Sequence, residues 1–272
     1  MPALLDHQSA QVTKLLLLGD SGAGKTGSLA SLAEAGWNLH INDFDNGLDI
    51  LRNVLTPAAQ ARVFYESIQD SREKRGVNVL GAGNQIIGRT ERMVPVGDAW
   101  PRFLSLLDKW PATGESVYKL GPKDVLVNDS LTFMSKAALN FILKVNNRHK
   151  LNEYDYGDAQ TMLEDIFATL YDHDLKCNVI LIAHIDYQPD GRGVLQGMPA
   201  APGKKLSPKI GRYFNSVLRV KTIGKERQIT TTSDGTVELK TSAPSSVKPS
   251  YPLASGLAQY FRDVQGPPPE SA

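Results

Sequence analysis

Gly19-Asp20-Ser21-Gly22-Ala23-Gly24-Lys25-Thr26, "GDSGAGKT", completes the apolar run "KLLLLG" and decides the fold. It satisfies GxxxxGK[ST] through Gly19, Gly24, Lys25 and Thr26. Glycines let the backbone curl so that several N–H groups point inward at phosphate oxygens. The Lys25 ammonium is placed to reach the β and γ phosphates, and the Thr26 hydroxyl to ligate Mg²⁺. The stretch lies between an apolar strand, Lys14 to Leu18, and a segment, Thr26 to Ala35, that reads as a helix stopped at Gly36. That strand–turn–helix context is what a triphosphate cradle requires, and it implies ATP and Mg²⁺ as cofactors.

Outward from this loop, "WNLHIN" (Trp37 to Asn42) reads as a second strand running into the acidic turn "DFDNGLD", and "ARVFYES" as a third. Asp70 to Gly97 carries five glycines, many charges and weak periodicity, so a long excursion containing a hairpin is expected. Apolar residues at 100, 103, 104 and 107 predict a helix over Trp100 to Trp110. "DVLVNDS" (Asp124 to Ser130) is a buried strand, and Leu131 to Val145 and Ala159 to Tyr171 are helical. "NVILIAHI" (Asn178 to Ile185) is a strand covered on both faces. Strands alternating with helices predict an α/β domain with a mainly parallel sheet. After Gly211, "SVLRVKTIG" and "RQITTTSDGTVELK" alternate, with turn signals at Ile223-Gly224 and Asp234-Gly235, as antiparallel C-terminal edge strands do. The expected domains are a lead-in over 1–13, an ATPase domain over 14–240, an extension over 241–265 and a disordered tail over 266–272.

The chain has 272 residues, and 41% apolar with 22% charged composition belongs to a globular protein rather than a disordered or fibrous one. No run of 18 apolar residues is present, so no membrane span or membrane partner is expected. The N-terminus lacks a secretory pattern. The single cysteine, Cys177, reads as a buried thiol in a reducing, cytoplasmic compartment. Net charge is only +1, but Gly203 to Arg227 holds eight basic residues against Glu226 alone. Two readings stand for that stretch: a polyanion-binding surface, or the solvated face of a hairpin.

Four further residues fit triphosphate chemistry. Asp129 closes an apolar strand, where a carboxylate holds Mg²⁺ directly or through water. Asp43 and Asp45 both stand where a group could orient the attacking water, unless Asn46-Gly47 marks an ordinary acidic turn. His184 leaves the "VILIA" strand as a γ-phosphate sensor or as a core-edge histidine with a satisfied hydrogen bond.

The order of P-loop, "INDFDNGLD", "VLVNDS" and "VILIAHIDYQ" resembles the RecA-type recombinase core, and most of all the reduced, phage-encoded RecA-like ATPases that act as single-strand annealing proteins. The resemblance covers roughly Lys14 to Lys240. It implies a RecA-like P-loop NTPase fold and a DNA-stimulated ATPase acting in annealing or homologous recombination, in the cytoplasm of a phage-infected or prophage-carrying bacterial cell. In that family the second strand ends in Asp-x-Glu, whose glutamate activates water. Here Asp43-Phe44-Asp45 stands instead, so Asp45 takes the glutamate's place, one methylene shorter. A displacement near 1 Å costs about 100-fold in rate, so either turnover is slow or the loop sits closer to compensate. By the same resemblance His184 couples the γ phosphate to a DNA-binding loop over Asp186 to Ser207, with Arg192, Lys204 and Lys205, and Lys209 and Arg212 beyond it are further DNA-binding candidates. A second loop, Asn146 to Tyr156, brings Arg148, Lys150, Tyr154 and Tyr156. It also implies assembly with copies of itself in a ring or filament, single-stranded DNA and a single-strand DNA-binding protein as partners, and Arg219 and Lys221 acting across the subunit interface. Other readings of the P-loop are a RecA-fold motor or loader, a nucleotide-gated structural component, and a small-molecule phosphotransferase with Arg72, Lys74, Arg75, Arg89 and Arg92 in a lid.

Overall fold

The computed structural model describes residues 11–203 and 205–269. Lys204, the start of the lead-in and the last three residues of the tail lie outside the described residues. Eight strands form one sheet: β1 (Lys14–Gly19), β2 (Asn38–Asp43), β3 (Val63–Ser67), β6 (Asp124–Asp129), β7 (Asn178–Ala183), β10 (Ser216–Ile223), β11 (Glu226–Thr230) and β12 (Ser250–Pro252). Two separate ribbons pair β4 (Arg72–Leu80) with β5 (Ile86–Pro95), and β8 (Ile185–Pro189) with β9 (Leu195–Pro199). The order in the main sheet is β12-β11-β10-β1-β7-β6-β2-β3. All pairs from β10 to β3 are parallel, and β11 and β12 run antiparallel at one edge. This is the expected α/β, RecA-like P-loop NTPase core.

The alternation of a strand's side chains divides the core in two. Leu16 and Leu18 of β1 face Phe103, Trp110, Phe167 and Phe214 on one side. Leu15 and Leu17 face Leu32, Trp37, Leu257 and Phe261 on the other. Every residue of β1 and β7 is buried, as near-continuous apolar strands inside a two-faced sheet must be.

Several elements depart from the sequence-based expectations. β10 pairs parallel with β1 on one side and antiparallel with β11 on the other, so it is an interior strand. The segment Thr231 to Lys240 makes isolated bridges at Val237 and Lys240 rather than a strand. The helix expected over Thr26 to Ala35 is two short ones, Lys25–Ser28 and Ala30–Glu34. Ser28 Oγ donates to the Lys25 carbonyl at 2.6 Å and so competes with the helical ladder at the break. The helix Glu153–Tyr171 begins six residues earlier than expected and takes in Tyr154 and Tyr156, because Asn152 and Asp155 form a capping box. Asp186 to Ser207 is largely the β8–β9 hairpin rather than loop.

Residues 241–265, expected as an extension, supply β12 and the helix Gly256–Gln265 to this same fold. Phe261 is fully buried and meets Trp37 edge-on at 5.7 Å. Cys177 is buried, and burial pushes its thiol up to about 12. No helix of the described residues is long and apolar enough to cross a membrane. Phe261→Ala is expected to cost about 3–5 kcal/mol in urea denaturation, the range for deleting a buried aromatic. An unchanged midpoint would show that the C-terminal helix lies outside the cooperative core.

Candidate nucleotide site

The parallel strands β1, β7, β6 and β2 are neighbours, and their C-terminal ends deliver Gly19, His184, Asp129 and Asp43 side by side. A crevice outside the carboxyl ends of parallel strands is where open α/β sheets bind ligands. The loop from Gly19 to Thr26 therefore opens onto the acids and the histidine expected beside it.

Its conformation needs glycine at Gly24, whose φ is +102°. A Cβ there would also stand 2.7 Å from Leu253 Cδ2. Lys25, only 6% exposed, donates from Nζ to the carbonyls of Gly19 at 2.8 Å and Asp20 at 2.9 Å. Its Nζ also lies 3.3 Å from His184 Nδ1. Thr26 Oγ1 donates to Asp129 Oδ2 at 2.6 Å. The structure thus brings together Lys25, Thr26, Asp129 and His184, drawn from three separate stretches of sequence.

The two acids after β2 differ in their surroundings. Asp43 Oδ1 accepts from the backbone N–H of Asn46 at 2.8 Å and of Gly47 at 3.3 Å, so it braces the turn. Asp45 Oδ1 is buried without a hydrogen-bond partner among the described residues. A Cβ on Gly47 would lie 2.9 Å from that oxygen, so the turn needs a glycine to seat the carboxylate.

Burial dominates the electrostatics. It pushes Asp129 up to about 7, aided by the Asp45 charge and opposed by the Thr26 hydrogen bond and Lys25. Burial, then the Asp43 charge, raise the Asp45 carboxyl above the usual range. Burial lowers Lys25 against the pull of Asp129, and burial with the Lys25 charge lowers His184. Among the described residues, no three His, Cys, Asp or Glu side chains gather closely enough to cage a metal. Thr26 and Asp129 offer two hard oxygen ligands, which suits Mg²⁺, an ion usually bound by one or two carboxylates plus phosphates and water.

Two features had escaped the sequence reading. Tyr187, on β8, places its hydroxyl 3.4 Å from Asp20 Oδ2 in the P-loop and accepts from Arg219 Nη2 at 2.8 Å. Its position three residues after His184 is the only trace of this in the sequence. An open cleft of about 1310 Å³ also adjoins the loop at Gly24, walled by Ile50, Arg227, Tyr251, Leu253 and Arg262. It joins residues more than 200 positions apart, which no local pattern foreshadows.

The expected basic contacts are scattered and several have acidic partners. Arg148 pairs with the buried Asp155, Arg192 with Asp190, and Lys209 with Glu164. Lys150, Lys205 and Arg212 are exposed, and Lys204 lies outside the described residues. Arg219 and Lys221 both reach Asp234 Oδ2, at 3.2 and 3.0 Å, within their own chain.

A family model described as AAA domain matches residues 11–243. No curated protein matches the chain. Among solved structures, the RadB recombinase shares 16% identity, with 81% of this chain and 80% of that one covered and a TM-score of 0.41. A prototypical ATPase from the type III secretion system of pathogenic bacteria shares 9%, over 80% and 56%, with a TM-score of 0.42. The assembled ATPase EscN of the enteropathogenic E. coli type III secretion system shares 9%, over 80% and 47%, with a TM-score of 0.37. The chain spans about half the length of the two secretion ATPases.

Gly24→Ala is expected to weaken binding of a fluorescent nucleotide more than about tenfold, because the added methyl meets Leu253 and φ is left-handed. The Asp129 shift also sets a pH dependence. Its folded value, about 7, lies above the usual carboxylate value of 3.8, so the native state holds a proton that the unfolded chain releases. In EDTA, that contribution is full below pH 4 and is lost as pH rises through 7, on the order of 4 kcal/mol. Asp129→Asn should remove this part of the slope in denaturation curves at pH 5 and 7.5. Equal slopes in both proteins would contradict the assignment.

Proposed function

The chain belongs to the AAA domain family, and on that premise we propose that this P-loop NTPase of RecA/AAA+-like fold binds and hydrolyses ATP and binds single-stranded DNA in annealing or homologous recombination. The observation that carries the reading is the 3.3 Å approach of Lys25 Nζ to His184 Nδ1. His184 is the last residue before the β8–β9 hairpin, so the group beside the γ-phosphate lysine leads directly into the segment proposed to meet DNA.

Lys25 exchanges the Gly19 and Asp20 carbonyls for β- and γ-phosphate oxygens when the triphosphate enters. The nucleoside occupies the cleft between the P-loop and the C-terminal strands, against Arg227, Tyr251 and Leu253. Mg²⁺ would be held by Thr26 Oγ1 and Asp129 and would supply charge neutralisation on the triphosphate. Asp45 accepts a proton from the attacking water, a role suited to a carboxyl whose proton affinity burial raises above the usual carboxylate range. The new oxygen–phosphorus bond forms as the bond to the β–γ bridging oxygen breaks, and ADP leaves with that electron pair. His184, neutral beside Lys25, changes its hydrogen bond when the γ phosphate departs and so signals to the hairpin. In a ring or filament of copies, Arg219 and Lys221 exchange Asp234 for a neighbouring subunit's phosphate.

ATPase rates with and without single-stranded DNA, and gel shifts with a non-hydrolysable analogue, test this directly. DNA should stimulate turnover, and the analogue should strengthen the shift. No shift at low salt with either nucleotide would end the DNA reading while leaving the ATPase standing. Lys25→Ala should abolish nucleotide binding. Asp45→Asn should bind normally and lose about 100-fold or more in kcat, as loss of a general base does. Normal turnover in that variant would remove Asp45 from the mechanism.

A further inference from the structure

The β4–β5 ribbon stands apart from the main sheet and takes no part in the nucleotide site. Every residue from Ile86 to Met93 is exposed. A lone two-stranded ribbon is at best marginally stable in water, and both of its outer edges present unpaired backbone groups. This one is held firmly at its root. Asp98 accepts from Ser71 N at 2.8 Å and Ser71 Oγ at 2.6 Å. Asp70 accepts from Ala99 N at 2.9 Å and from Asn140 Nδ2, on the helix Leu131–Val145, at 2.6 Å. Gly97 packs so closely on that helix that a Cβ would lie 2.5 Å from the Asn140 carbonyl oxygen. The root follows directly on β3, whose last residue pairs with Asp43 at the edge of the sheet that carries the P-loop.

The ribbon's side chains are unusual for a free surface. From Arg72 to Pro95 there are five basic residues and two acids. Glu73 is already paired with Arg75. Arg72, Lys74, Arg89 and Arg92 have no acidic partner among the described residues. Arg75 stands directly opposite Arg92 in the register, and like charges across a strand pair repel. Cations occupy both faces, since Lys74 and Arg75 are neighbours in one strand. Arg75 Nη1 also lies 2.9 Å from His149 Nδ1, which joins the ribbon to the loop holding Arg148 and Lys150.

We infer that the β4–β5 ribbon is a nucleic-acid-binding arm that grips the phosphate backbone through Arg72, Lys74, Arg89 and Arg92. A polyanion lying along it neutralises the unpaired cations and relieves the Arg75–Arg92 repulsion. The inference rests on the DNA reading above and assigns it a surface distinct from the β8–β9 hairpin.

The test is the full chain carrying Arg72→Ser, Lys74→Ser, Arg89→Ser and Arg92→Ser together, with fluorescence anisotropy of labelled oligo(dT) and of a duplex across a salt series. Nucleotide titration checks that the variant is folded, since no substituted residue lies in the nucleotide site. Affinity for at least one DNA should fall more than about tenfold at about 100 mM salt. For single strands, the slope of log affinity against log salt should shrink by about 3, from about 0.7 per phosphate contact. Loss on oligo(dT) alone identifies single strands as the ligand, and loss on duplex alone identifies double strands. If the wild-type protein binds and the variant matches it in affinity and slope, the arm is overturned while the DNA function stands. If the wild-type protein binds neither DNA, both fall together. If DNA binding survives while Ile86→Ser with Ile87→Ser abolishes self-association in light scattering, the ribbon is a protein contact and the inference is overturned.

Discussion

Pairing of β1 on both sides is the constraint on which the rest depends. Its five core registers with β7 and five with β10 leave no free edge, and its leucines are buried on both faces. Backbone groups so buried must be hydrogen-bonded, and a parallel interior strand satisfies all of them. The chain then has one exit, at the C-terminal edge of the sheet, and Gly19 to Thr26 is that exit. A Cβ on Gly19 would lie 2.9 Å from the Val220 carbonyl oxygen, so even the first step out of the strand is shaped by its neighbour. Because β7, β6 and β2 run the same way beside it, their ends arrive at the same place.

This arrangement crowds charge. Burial raises the proton affinity of Asp43, Asp45 and Asp129, the Asp43 charge raises Asp45 further and the Asp45 charge raises Asp129, and Lys25 opposes this from a position where burial weakens its own charge. Such a cluster is costly when empty and is relieved by a cation and a proton donor, which a nucleotide with its metal and its attacking water would bring. Asp43 Oδ1 accepts two backbone hydrogen bonds from the turn, whereas Asp45 Oδ1 is buried without a hydrogen-bond partner among the described residues. Asp43 is committed to holding the turn.

Legibility followed the range of the interaction that builds each element. The P-loop was readable because its requirements are local: glycines for a tight curve, a lysine and a hydroxyl at set offsets. The interior strands were readable because burial on two faces demands an unbroken apolar run. Parallel pairing of β10 was not readable, because "SVLRVKTIG" alternates as an edge strand does while its parallel partner β1 lies about 200 residues away. The start of the helix at Glu153 was written in "NEYD", a capping box whose polar residues hide it from a search for apolar periodicity. The partners of basic residues were hidden for a related reason. Lys209 counts as a free cation in a sequence, but it meets Glu164, 45 residues away, which the fold brings to it.

The sequence by itself determined the fold class and the chemistry of the phosphate loop, since both follow from periodicity and spacing within a few residues. Only the tertiary structure decided that Asp43 braces the turn after β2, that Tyr187 links the P-loop to Arg219, that the C-terminal helix closes the core over Trp37, and that Leu253 and Arg227 wall the cleft beside Gly24. Each of these joins side chains far apart along the chain. Their meeting depends on strand order and packing, which no local pattern encodes.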